Sequence, residues 1–171
     1  DRSFWRPLGV SQYLACAGQL PEDFRCVVKC PSVITDTLVR AEDGRGRETN
    51  PAFLDAQLAV SAFVQPTLEG LGQRLGVLVF QLSPLPQPLL HRLSEVLDRL
   101  DAMLRAQPPL RATAPDAVPA VEVRDPDWLA PEMLPRPAEV LRANGAPHCL
   151  GPHARMPPPQ EQLPPLRLPW L

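Results

Sequence analysis

Lysine is almost missing from this chain, with one ammonium, Lys29, against sixteen arginines. That scarcity, with a net charge of -2, gives no bulk attraction to nucleic acid or to an anionic membrane. Histidine is scarce too, at three (His91, His148 and His153), which leaves little imidazole for metal ligation. Four cysteines, Cys16, Cys26, Cys30 and Cys149, form no Cys-x-x-Cys pair and no zinc spacing. No apolar run approaches the length of a membrane helix. Neither G-x-G-x-x-G nor G-x-x-x-x-G-K-[ST] is present, which counts against nucleotide-binding versions of an α/β fold.

What is present suits one domain over 1–171, or a piece of a larger one. The chain is 44% apolar and 21% charged, long enough to bury a real core. Its 24 prolines fall between apolar segments, as loops and helix starts. The stretch 151–171 reads as a proline-rich loop after the last strand. Asp1 at the start and Leu168-Pro169-Trp170-Leu171 at the finish suggest that both ends are cut. Unspaced thiols and no visible signal peptide predict a reducing, cytoplasmic setting.

Residues 8–20 read as a helix with Val10, Leu14 and Ala17 on one face, leading to a strand at 24–30. The segment 36–49 is polar and reads as a loop. Asn50 and Pro51 look like an N-cap and first helical residue, opening a helix that Pro66 should kink. Residues 77–82 form an apolar strand. The stripe Leu89, Leu93, Val96, Leu100 and Met103 marks a helix over 88–106. A strand at 118–124, a helix over 131–144 closed by Gly145, and a short strand at 146–150 complete the pattern. Apolar strands alternating with helices predict a parallel sheet covered on both faces, in an open doubly wound fold or part of a (β/α)8 barrel.

Alternation along each strand sorts the polar residues. Lys29 ends the first strand with Arg25 and Val27 on its face. Gln81 shares a face with Val77 and Val79, and Glu122 and Arg124 share one with Ala120. Each polar group then lies near a carboxyl end, the edge where parallel α/β folds build their sites. Two cations, a carboxylate and an amide converge there. A buried ion network is the bland alternative, and such networks stabilise weakly because desolvation offsets the attraction.

The same residues carry a resemblance. Ser3-Phe4-Trp5, Pro21 through Pro31 with Ile34-Thr35, Asn50-Pro51, Phe53-Leu54, Leu75 through Leu82, and Val121 through Arg124 with Trp128 follow one ordered pattern. It resembles the YecE-like family (domain of unknown function seventy-two), from residue 3 to about 157, ending near His153-Ala154-Arg155-Met156-Pro157. The resemblance implies a TIM barrel, of which this chain supplies about strands three to six of eight, truncated at both ends. Four strands cannot close, so the isolated chain is expected to expose sheet edges and to aggregate or be molten. Two positions depart from the family pattern. Asp36 stands where a histidine follows the Ile-Thr pair, and Asp125 stands where Arg-His precedes the tryptophan, which removes imidazole chemistry and metal ligation from those places.

The first functional expectation is a binder of, or enzyme on, a small phosphate- or carboxylate-bearing ligand. Arg124 clamps the anion, Lys29 adds charge or acts as an acid, and Glu122 acts as base or orients Arg124. Gln81 donates a hydrogen bond, with Thr35 and Trp128 as further ligand contacts. No metal and no cofactor is expected, and oligomeric state is not indicated. The alternatives are Schiff-base lyase chemistry at Lys29, in the manner of barrel aldolases, and a metal-dependent nucleic-acid hydrolase, by analogy to barrel endonucleases. In the hydrolase reading His148 and His153 would flank the fourth strand's end. A non-catalytic interaction protein presenting Trp5, Trp128 or Trp170 is the last.

Overall fold

In the computed structural model of the chain, residues 2–40, 46–151 and 154–166 are described. Two helices, α1 (Arg2–Trp5) and α2 (Val10–Ala17), lead into β1 (Cys26–Lys29). Tyr13 and Ala17 are the buried residues of α2, while Leu14 is exposed. The inward face therefore keeps Ala17 of the Val10-Leu14-Ala17 stripe and takes Tyr13 in place of Leu14. After β1 comes one helical turn, α3 (Ser32–Thr35).

The segment expected to be a loop contains an antiparallel hairpin, β2 (Leu38–Arg40) with β3 (Gly46–Thr49). Asp36 organises its start, accepting from the Leu38 amide (3.1 Å) and from Arg40 Nε (2.5 Å). Asn50 is a strut, not a helix cap. Its Nδ2 donates to the carbonyls of Val33 (2.7 Å) and Asp36 (2.8 Å). The helix begins later, capped by Asp55, whose Oδ1 accepts from the Leu58 amide at 2.7 Å. It runs as α4 (Ala56–Ala59), a π-helical turn (Val60–Val64) and α5 (Gln65–Leu71). Proline has no N–H to donate, and the wider turn ahead of Pro66 absorbs that gap without breaking the helix.

Next comes β4 (Leu75–Leu82), then α6 (Gln87–Leu90) and α7 (Leu93–Arg105), so the expected helix is interrupted near His91 and Arg92. On α7, Leu93, Val96, Leu100 and Met103 are buried as the stripe requires, joined by Leu97 and Leu104. β5 (Val118–Val123) and α8 (Pro135–Ala143) follow, with Gly145 at φ 58° ending α8. A last helix, α9 (Pro159–Leu166), falls where the proline-rich stretch suggested only a loop.

The main sheet is parallel, in the order β1-β4-β5. In place of a fourth full strand, residues 147–149 pair with Val121 alone. Val121 N–H donates to the Pro147 carbonyl (3.0 Å) and Cys149 N–H to the Val121 carbonyl (2.8 Å). The core takes the strand residues Val28, Leu75, Leu78, Phe80, Leu82, Val121 and Val123, with residues of α2, α5, α7 and α8. On the other parity Val27 is exposed, while Val79 and Ala120 are buried, at 2% exposure each.

Candidate functional site at the carboxyl ends of the parallel strands

Lys29 is the last residue of β1, and its register partner is Val79. One pleat further along β4, on the same face, Gln81 Oε1 accepts a hydrogen bond from Lys29 Nζ at 3.0 Å. Gln81 is in register with Glu122 of β5. Glu122 Oε1 in turn accepts from Arg124 Nε at 2.8 Å. The sheet therefore brings Lys29, Gln81, Glu122 and Arg124 to one face at one edge, because register and pleat place them there. Gln81 and Glu122 are buried and Lys29 half-buried, while the Arg124 side chain is 30% exposed. Arg124 commits only Nε; among the described residues its two terminal nitrogens have no protein partner.

Thr35 and Trp128 are placed differently. Thr35, the last residue of α3, is fully buried at the same edge, and its carbonyl accepts from the Ser83 amide (3.4 Å) just beyond β4. Its Oγ1 has no partner among the described residues. Trp128 is a core residue, 2% exposed, lining a small apolar cavity with Leu100, Val121, Leu129 and Leu141. Asp125 turns it there. Its Oδ1 accepts from the Asp127 amide (3.2 Å) and its Oδ2 from the Leu85 amide (3.3 Å), which folds the loop after β5 toward the helices. The expected contact of Trp128 with a ligand is corrected on this ground.

Both aspartates at the departures from the family pattern, Asp36 and Asp125, are thus bound into turns. His148 lies on the helix side, with Nδ1 against the Val121 carbonyl (3.2 Å) and Nε2 against Gln162 Oε1 (3.3 Å). Burial holds its pKa below the ordinary 6.5, outweighing those two acceptors and nearby Glu122, which pull upward. His148 therefore does not reach the four-residue cluster. His91 is exposed, and His153 and Trp170 lie outside the described residues. Among the described residues no group of three His, Cys, Asp or Glu side chains is placed to hold a metal.

Two residues beside the cluster escaped the sequence reading. Cys149 follows His148 on the segment paired with Val121, so alternation turns it to the side of Glu122. Its thiol is raised above the ordinary value, first by burial and then by Glu122, with Lys29 opposing. Gly151 lies against Glu122: a Cβ there would stand 3.1 Å from Oε1. A short strand was expected at 146–150, but alternation alone does not say which face meets β5.

Comparison with known proteins agrees with this architecture. The family model "Protein of unknown function DUF72" matches residues 1–168, further at both ends than the sequence resemblance. A solved structure of a DUF72 family protein from Enterococcus faecalis is similar at TM-score 0.51 and 16% identity. The match covers 86% of this chain and 51% of that one, so the chain spans about half the length of its solved relative. At that identity the likeness speaks for the fold alone. A search of the curated proteins finds no match. Ordered strand motifs, a parallel α/β sheet and a family match over nearly its whole length together make this chain a member of the DUF72 family of proteins of unknown function.

Proposed function

We propose that this chain carries a binding site for a small phosphate- or carboxylate-bearing anion at the carboxyl ends of β1, β4 and β5. One observation carries the reading: Glu122 fixes Arg124 through Nε while both terminal guanidinium nitrogens stay uncommitted within the described residues. A guanidinium held in that way presents a planar fork matched to carboxylate or phosphate oxygens. Lys29 adds a second cation across Gln81. Glu122 orients Arg124 and is the available base, Lys29 is the available acid, and Thr35 adds a buried hydroxyl at the same edge.

We read the parallel order β1-β4-β5, with helices between successive strands, as part of a (β/α)8 barrel, about strands three to six. Among the described residues no helix is long and apolar enough to cross a membrane. Four free cysteines fit a reducing, cytoplasmic setting.

Calorimetric titration of the chain with inorganic phosphate and with a small monocarboxylate tests the anion reading. Arg124→Met and Lys29→Met are each expected to weaken binding by about tenfold or more, the scale of one charged hydrogen bond. Equal affinity in the native chain and both variants would overturn it.

A further inference from the structure

Beside the four residues that make up the proposed site, residues 149–151 return to the sheet and face the same carboxylate. Val121 N–H donates to the Pro147 carbonyl and accepts back, through its own carbonyl, from Cys149 N–H, a parallel ladder of one rung. His148 is thereby turned to the helix side, where it meets Gln162. The next residue, Cys149, points to the opposite face, beside Glu122. Gly151 returns to that face two residues on, independently confirming the direction: its missing side chain leaves the space that Glu122 Oε1 fills, 3.1 Å from where a Cβ would be.

We propose that Cys149 is a further residue of the anion site, a thiol wall standing beside Glu122 and opposite Lys29. The row then runs Lys29, Gln81, Glu122, Cys149 across four neighbouring chain segments, with Arg124 above Glu122. The wall stands on the anion-site reading and adds to it a chemical class. A half-buried thiol is an apolar, polarisable surface rather than a second anion clamp. The ligand it suits is a small organic anion whose charged end meets Arg124 and Lys29 and whose short organic part lies on sulfur. Both Glu122 and Lys29 act electrostatically on this thiol, in opposite senses.

The test is the rate at which iodoacetamide alkylates Cys149 in the full chain, read by peptide mass spectrometry. Exposed Cys16 serves as the reactivity control and buried Cys30 as the control for folding. Thiolate is the reacting form, so Glu122→Gln is expected to speed Cys149 by about threefold relative to Cys16, and Lys29→Met to slow it. Saturating acetate or inorganic phosphate is expected to slow it further in the native chain, and acetate more than phosphate does in Arg124→Met. Rates indifferent to both substitutions would remove Cys149 from the cluster. Calorimetric binding of acetate or phosphate without protection of Cys149 would overturn the wall while leaving the anion site standing. Absence of any such binding would overturn the anion site and the ligand role of Cys149 with it. Should a variant expose Cys30, protection of native Cys149 by the two anions decides alone.

Discussion

His148 shows how one side chain with a familiar chemistry can be taken out of function by its surroundings. Its ring is buried between the Val121 carbonyl and Gln162, and burial holds its pKa below 6.5. The folded chain thus binds fewer protons than the unfolded chain once pH falls below 6.5. Stability from this group is complete above that value and is lost as pH drops toward the folded pKa. Urea unfolding is expected to show a fall in stability as pH drops below about 6.5 that His148→Gln reduces. An equal fall in the variant would count against a buried neutral ring. Arg124 is the counterexample, a side chain whose neighbour holds one nitrogen and leaves two without a partner among the described residues. Both residues were visible in the sequence, but only Arg124 lay on a strand whose alternation named its face. Trp128 turned inward against expectation because it hangs on the turn after β5, where no period can be read, and the side taken by Cys149 waited on which face of its segment meets β5.

Helix pairing is where small residues carry large consequences. α2 crosses α5 at Gly70, where a Cβ would collide with Tyr13 and stand 2.9 Å from the Val10 carbonyl. Gly70→Ala is therefore expected to destabilise the chain by about 1–3 kcal/mol, the usual cost of forcing atoms into a packed contact. Chemical denaturation would measure it, and an unchanged midpoint would show that the two helices are not in contact as described. Periodicity made α7 legible, since six of its apolar positions face inward as a 3.6-residue repeat demands. The β2–β3 hairpin was illegible for the opposite reason. Its second strand is polar, its strands lie outside the main sheet, and side chains fix it: Asp36 accepts from the Leu38 amide and Asn50 donates to the Val33 and Asp36 carbonyls.

For the whole molecule, the main sheet is parallel, with β1 at its margin. Among the described residues, the outer edge of β1 pairs with no strand, and Val27 on it is 66% exposed. An unpaired edge beside exposed apolar side chains invites pairing with another chain. Sedimentation is expected to show concentration-dependent association of these 171 residues, weakened by Val27→Lys. A monomeric chain with one sharp, cooperative unfolding transition would weigh against the partial-barrel reading, because a sheet so open should not melt as a finished domain.

The amino-acid sequence alone determined the α/β class, the parallel strands and the strand-end positions of Lys29, Gln81, Glu122 and Arg124. All of these follow from repeats of two and 3.6 residues that lie within single segments. Only the tertiary structure decided that Trp128 turns to the core and that Cys149 lies on the side of Glu122. Those outcomes depend on register between strands far apart in the chain and on loops held by single hydrogen bonds. Neither leaves a local period to read.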